Sequence, residues 1–421
     1  MLKLTKKLWP LNRSLTGQGN IETLKIIKNE CKDLKLIKIK SGTKAFDWKM
    51  PKVWEIKDGW IKNNKGKKIL DFKKNNLSVA GYSKKIHKII SARELKKKIF
   101  SIKNLPNAIP YVTTYYKKDW GFCMEYSQKK KIKNGKYEIF INSKFKKGNL
   151  TIGEILIPGK SKKEIMLSTN ICHPSMANNE ISGMVVTTFL AKWLLKKKNL
   201  KYSYRILFLP ETIGSIAYLK KNYKYLKKNT IAGYNVTCVG DDRNHSFLPS
   251  RKGNTIADTI GEYILYKNVK KYKKYSWLDR GGDERQYCSP GIDLPVASLM
   301  RSKYGEYPEY HTSLDKIGTV VTTRGLMGGF KILKKSLELL EKQIFPISRT
   351  LCEPFLTKKK IYPTFSKKNS VNNKLKLYLD ILTYSDGKNS LFEISKKLNK
   401  SEVKIKKAIF KLKKMNLLQI Q

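Results

Sequence analysis

Apolar residues recur along the chain with two different periods, and the changes of period mark out its elements. Residues 20–33 carry apolar positions at helical spacing, and Leu34–Ile39 then alternates as a strand does. Between residues 46 and 120 short alternating runs dominate. Trp48, Trp54 and Trp60 stand among polar residues, Pro51 interrupts them, and Asn63-Asn64-Lys65-Gly66 forms a turn before a strand at Lys68–Phe72. Tyr137–Ile141 and Thr151–Ile157 read as a pair of strands returning to the core. Four buried strands are then predicted at Glu164–Asn170, Tyr204–Leu209, Tyr234–Gly240 and Leu294–Met300. Helices at Ile181–Leu195 and Gly214–Lys228 follow the first two, which is the repeating unit of an α/β sheet. Near the end, Lys376–Thr383, Leu391–Leu398 and Glu402–Lys414 have helical spacing, and the apolar tail Leu417–Ile420 closes the outline of a winged helix-turn-helix.

The residues that follow the four strands turn this pattern into chemistry. His173 follows the first, Glu211 the second and Asp241-Asp242 the third, and the fourth leads to a loop with His311. Ligands of open α/β sheets bind beyond the carboxyl ends of the strands. Four residues of these types in succession point to a metal-dependent hydrolytic site. Neutral imidazole is a favoured zinc ligand, and two of the four His in the chain occupy these loops. Glu211 can take a proton from metal-bound water and pass it to a leaving amine, or it can cap the helix that follows. Alternation turns one of Asp241 and Asp242 inward, and Asp241, nearer the strand, is the preferred ligand. His245 reads as a surface residue. The run from Arg280 to Tyr287, with Asp283, Glu284 and Arg285 between glycine and tyrosine, suits substrate recognition, as does Tyr310. Asp315, four residues beyond His311, is placed to orient its imidazole.

Composition changes this reading less than its size suggests. The formal net charge is +55, which invites a nucleic-acid or anionic-membrane partner. Only 10 of the 88 basic residues are Arg, however, and the Lys are spread over helix surfaces and loops as in a chain coded by AT-rich DNA. Five of the Arg (Arg243, Arg251, Arg280, Arg285 and Arg301) fall between the third and fourth strand ends. Arg retained where Lys is the default suggests fork-shaped recognition of carboxylate or phosphate. The six Cys include no Cys-x-x-Cys pair, so a disulfide framework or a structural zinc knot is not expected. No apolar run approaches about 18 residues, so no membrane span is expected and the cytoplasm is the expected location.

With these residues assembled, the chain resembles a family of bacterial aminopeptidase-like proteins, distant relatives of the co-catalytic zinc aminopeptidases. The resemblance rests on Leu8–Gly17 (LWPLNRSLTG), the Trp-rich insert, Ile171–Ser175 (ICHPS), Pro210–Ser215 (PETIGS), Asp283–Tyr287 (DERQY), Glu309–Ser313 (EYHTS) and the C-terminal winged helix. It implies a zinc-aminopeptidase-like (phosphorylase/hydrolase-like) three-layer α/β core with a mixed sheet. The core would span residues 1–44 and 121–350, with an inserted β-rich domain at 45–120, a linker at 351–374 and the winged helix at 375–421. Of the family's metal positions, His173, Asp241 and His311 fill three, and Glu211 falls on the general base. Two positions depart. The bridging Asp falls on Asn179, whose amide offers a dipole where a dication needs charge, and a metal-binding Glu falls on Thr212. Glu180 carries the carboxylate nearest in sequence, but adjacent helical positions point roughly 100° apart.

The expected protein is therefore a one-zinc hydrolase acting on a peptide or another amide. Two alternatives stand beside it. One is a non-catalytic binding or assembly protein of the same fold, linked to polysaccharide biosynthesis. The other is a DNA-binding regulator, although the Lys-rich third helix of the winged module is a weak signal for DNA. A homo-oligomer, through the winged helix or the insert, is the expected assembly.

Overall fold

The computed structural model describes residues 1–115, 117–359 and 373–420. They form two compact units, Met1–Ser336 and Leu337–Gln421. The first is built on an eight-stranded mixed sheet. From one edge its strands run Lys35–Lys40, Asn149–Ile157, Tyr202–Leu209, Ser161–Asn170, Thr230–Asn235, Val296–Met300, Ser246–Leu248 and Lys273–Lys274. The four strands from Tyr202–Leu209 to Val296–Met300 are parallel. The first two strands are antiparallel to each other, and Asn149–Ile157 is antiparallel to Tyr202–Leu209.

This order creates the position for a site. The chain leaves Ser161–Asn170, adds Tyr202–Leu209 on one side and later Thr230–Asn235 on the other, so connections diverge at the carboxyl end of Ser161–Asn170. Asn170 pairs with Leu209 across the parallel ladder, which brings the segments carrying His173 and Glu211 off the sheet at the same level. A divergence of this kind opens a crevice at the strand ends.

Helix Ile213–Asn229 covers part of the sheet, its Ile213, Ile216, Ala217 and Leu226 packing in one cluster with Leu150, Met166, Leu207 and Leu209. Helix Ser182–Leu195 is buried along most of its length, and Gly183 lets it approach the Val236 carbonyl and the Thr169 hydroxyl. At Gly325 and Gly329, helix Thr323–Glu341 approaches the loop that follows strand Thr230–Asn235. A Cβ at Gly325 would collide with the Gly240 carbonyl, and one at Gly329 with the Val239 carbonyl.

Two predicted elements differ. The third strand is Thr230–Asn235, not Tyr234–Gly240. Residues 236–240 are as buried as a strand, but Cys238 has φ of 52°, which breaks extension. Side chains satisfy this loop instead: Val239 N donates to Ser182 Oγ (2.9 Å) and Gly240 N to Asn178 Oδ1 (2.9 Å). A buried apolar run has no period to separate strand from loop. The strands near Tyr137 and Thr151 are also not partners. Lys136–Lys146 joins Val53–Lys62, Lys68–Asp71 and Ile86–Ser91 in a separate four-stranded sheet, while Asn149–Ile157 enters the main one.

In the second unit, helices Asn373–Thr383, Leu391–Lys397 and Glu402–Lys414 enclose a core with Tyr378, Ile381, Ile394, Ile405 and Ile409. Strand Leu418–Ile420 closes it by antiparallel pairing with Pro346–Ser348. Most of the expected linker lies outside the described residues. Among the described residues no helix is long and apolar enough to cross a membrane.

The close approach of helix Thr323–Glu341 gives a test. Gly325→Ala is expected to destabilise the protein by roughly 1–3 kcal/mol through overpacking, read as a lower denaturant midpoint at unchanged slope. An unchanged midpoint would mean the helix does not sit this close to Gly240.

Candidate functional site

The loop Ile171–Ile181 is organised around Glu180, which is fully buried. Its carboxylate accepts from the backbone N–H of Cys172, from His173 N (2.7 Å), from His173 Nδ1 (2.9 Å) and from Arg13 Nε (3.3 Å). Arg13 Nε also donates to the His173 carbonyl (2.9 Å), and its Nη1 to that of Leu8 (2.7 Å). Burial opposes charge on Glu180, but His173 and Arg13 outweigh it and hold the carboxyl below its usual range. His173 is raised in turn: burial lowers it, and the charge and hydrogen bond of Glu180 win.

Nε2 of His173 faces the opposite way and lies 3.7 Å from Glu211 Oε2. Glu211 follows strand Tyr202–Leu209, and its side chain is 22 % exposed. Burial raises its carboxyl above the ordinary range, offset in part by His173 and Arg285. The next residue, Thr212, has φ of 62° and ψ of −72°, an outlier for a β-branched side chain. Three hydrogen bonds fix it: Thr212 N donates to Asp283 Oδ1 (2.7 Å), Arg285 Nη2 donates to its Oγ1 (2.8 Å), and Ser215 Oγ donates to its carbonyl (2.9 Å).

His311, also at positive φ (55°), completes the group. Its ring centroid lies 5.1 Å from that of His173 and 3.9 Å from Tyr310, which stacks on it at 12°. Tyr111 packs against both imidazoles. Asn179 Nδ2 is 3.3 Å from His311 Nε2. Burial, with the charge on His173, lowers His311 to about 3 and leaves it neutral near pH 7.

The predicted residues thus divide. His173, Glu211, Asn179, His311 and Tyr310 come together, with Arg285 beside Glu211 at 3.9 Å. Asp241 has its oxygens occupied: Ser302 Oγ (2.8 Å) and Arg243 N (2.9 Å) on Oδ1, Ser302 N (2.8 Å) and Asn178 Nδ2 (3.0 Å) on Oδ2. Asp242 turns away to Thr322 and Arg324. Asp283 is wholly buried under Thr212, and burial with the nearby Glu211 charge pushes it up to about 8. Glu284 accepts from Gly281 N, Gly282 N and Tyr304 on Oε1 and from Asn235 on Oε2. Tyr287 bonds Ser168 Oγ (2.7 Å) inside the core, and Arg280 lies exposed over Trp277.

One positioning expectation is corrected, and one open alternative is closed. Asp315 does not orient His311; its oxygens accept from the backbone of Asn178 (2.8 Å) and Asn179 (3.1 Å) and from Tyr307 (3.0 Å). Glu180 does not replace the bridging carboxylate, because it backs His173 from the Nδ1 side. Cys172, which carried no expectation, lies in the site: its Sγ accepts from Glu211 N (3.2 Å). Only its place beside His173 hinted at this.

Among the described residues, one ligand atom each from Cys172, His173 and Glu211 lie within 4.8 Å of one another, close enough for a metal ion to be held among them, with Glu211 placed either to join the ligands or to act on bound water. Glu180 holds His173 by its far nitrogen, as carboxylates commonly hold metal-binding imidazoles. These donors are of types that can hold a metal ion. Asp241 is occupied by protein donors, position 179 offers an amide and the Thr212 hydroxyl receives Arg285.

Such a fold is that of an aminopeptidase-like protein, and comparison with known proteins agrees. The chain belongs to the family described as a domain of unknown function, DUF4910, whose model matches residues 2–343; a winged helix-turn-helix model matches 344–420. A Clostridium acetobutylicum protein, provisionally named for polysaccharide biosynthesis and an aminopeptidase-like domain, is 40% identical over 99% of this chain and 95% of its own length. A crystal structure from the same organism, provisionally called a peptidase, matches with a TM-score of 0.83 and 38% identity, over 100% of this chain and 95% of that one. A zinc aminopeptidase from Bacillus subtilis shares the fold with a TM-score of 0.57 and 12% identity, over 80% and 92% of the two chains. The M28 peptidase precursor of Shewanella amazonensis does so at 0.57 and 10%, over 84% and 94%.

His245 gives a prediction independent of the site. Burial and the Arg301 guanidinium it contacts lower it to about 4. The unfolded chain then binds more protons between its ordinary value and about 4, so stability falls as pH drops through that window. The loss should be on the order of 2 kcal/mol after allowance for solvent. In His245→Gln, urea midpoints measured from pH 7 to pH 4 should flatten by that amount; an unchanged profile would reject the assignment.

Proposed function

We propose that this protein is a metal-dependent, one-zinc hydrolase that cuts an amide or peptide bond, with Glu211 as its general base. The observation that carries the reading is the approach of Glu211 to the outward nitrogen of His173, at the end of two adjacent parallel strands. His173 would hold the ion, with His311 neutral and 5.1 Å away between ring centres. Bound there, zinc supplies polarisation of the scissile carbonyl and acidification of the attacking water. Glu211 takes the proton from that water and delivers it to the leaving nitrogen. Its carboxyl, raised by burial, suits it to both steps. Tyr310, stacked on His311, walls the site.

The relative's name supports a setting in polysaccharide biosynthesis. A second reading, a non-catalytic binding protein of the same fold, draws support from Asn179, which puts a neutral amide where the co-catalytic enzymes bridge two ions.

Zinc content of protein purified without added metal separates these readings. Close to one equivalent is expected, whereas less than about a tenth, with no gain on addition, would sink the enzyme. Glu211→Gln should lower amide turnover by about 10²–10⁴. In the parent, the rate should fall as acid protonates Glu211, at a pH above the ordinary carboxylate range.

A further inference from the structure

Of the five Arg clustered between the third and fourth strand ends, four are committed elsewhere. Arg243 forms a fork with Glu309 (2.8 and 2.8 Å), and Arg251 holds Asp293 and the Cys288 carbonyl. Arg301 takes the Asp241 carbonyl and His245, and Arg280 lies over Trp277. Arg285 alone reaches the site. One Nη2 bond goes to Thr212 Oγ1 (2.8 Å), the Glu211 carboxylate is 3.9 Å away, and the side chain is 41% exposed. Its remaining N–H donors have no partner among the described residues.

Its base is rigid. Arg285 lies in the turn Glu284–Tyr287, flanked by Asp283 and Glu284, both fully buried and bonded inward to Thr212, Ser215, Gly281, Gly282 and Tyr304. The guanidinium thus occupies the end of the crevice where Thr212 replaces a metal-binding carboxylate. A fixed cation there repels the free ammonium that an aminopeptidase substrate presents, and it matches a carboxylate by two parallel N–H bonds.

We propose that Arg285 and Thr212 form a carboxylate subsite, so that the substrate is an amide bearing a carboxylate beside the scissile bond rather than a free amino terminus. This rests on the hydrolase reading for the place of the scissile bond, though not for the binding of the anion. A single guanidinium balances one carboxylate; a phosphate dianion set next to Glu211 would keep an unmatched charge. The positive field of the chain draws anions to the crevice in either case.

Calorimetric titration tests it with two probes on the full chain, N-acetyl-L-leucine (amide and carboxylate) and L-leucinamide (amide and ammonium), each to about 10 mM. N-acetyl-L-leucine should bind at least about tenfold more tightly, Arg285→Gln should remove that margin, and Arg285→Lys should restore part of it. Circular dichroism checks that both variants keep the fold, Arg285→Gln melting slightly below the parent because it loses one of the three bonds to Thr212. Tighter binding of L-leucinamide or of inorganic phosphate, or an affinity for N-acetyl-L-leucine unaltered in Arg285→Gln, overturns the subsite. Arg285-dependent carboxylate binding by a protein that holds no zinc and cuts no amide leaves the subsite standing and retires the hydrolase. Turnover of L-leucinamide without carboxylate preference does the reverse.

Discussion

A carboxylate buried from all water must gather enough donors to replace its hydration, and Glu180 gathers them from two separate parts of the chain. The backbone of Cys172 and His173 comes from the loop after the central strand, the imidazole from the same loop, and the guanidinium of Arg13 from the N-terminal segment. Losing one partner of a buried charge costs on the order of 3–5 kcal/mol. The loop geometry, the docking of the N-terminal segment and the orientation of His173 are therefore conditions on one another. Arg13 meets the need better than Lys could, since its fork reaches Glu180 and two carbonyls at once.

A second constraint meets the first across the crevice. Thr212 holds a backbone conformation that costs of order 1–3 kcal/mol, and buried Asp283 offsets it by accepting from Thr212 N and Ser215 Oγ on one oxygen. The strain turns the chain sharply after Glu211, whose own N–H meets the Cys172 sulfur. His173 is thus fixed from behind by Glu180, and Glu211 by the bend that follows it. Their separation of 3.7 Å results from two independently anchored loops.

How much of this was legible in sequence follows from what each feature depends on. The strand-end loops with His173, Glu211 and His311 were readable because burial of parallel strands and the placement of ligands at their carboxyl ends are local patterns with a topological consequence. The third strand was misplaced because residues 236–240 are apolar without alternation, and their backbone partners, Ser182 and Asn178, lie more than fifty residues away. Asp241 and Asp315 looked like ligand and orienting acid, and both prove occupied by donors from distant loops. Glu180 was noticed for its distance from position 179, while its value lay in facing the other way. Which side of an imidazole a carboxylate meets is a tertiary fact, and spacing along a helical turn does not contain it.

The charge of the chain illustrates the same point from composition. A surfeit of Lys carries little information, because an ammonium on a flexible stem is at ease in solvent almost anywhere. Arg carries more. Arg13 and Arg205 are buried among carboxylates, the latter against Glu154 and Glu164, and Arg301 is buried against the Asp241 loop. Arg243, Arg251 and Arg324 each hold an acid nearer the surface. Where most basic positions have drifted to Lys, retention of Arg thus marks places where planar, multiple bonding is needed, and most of those places are structural. That is why Arg285, whose donors turn outward beside the proposed base, is informative: its role is not accounted for by the fold in the way those of the buried Arg are.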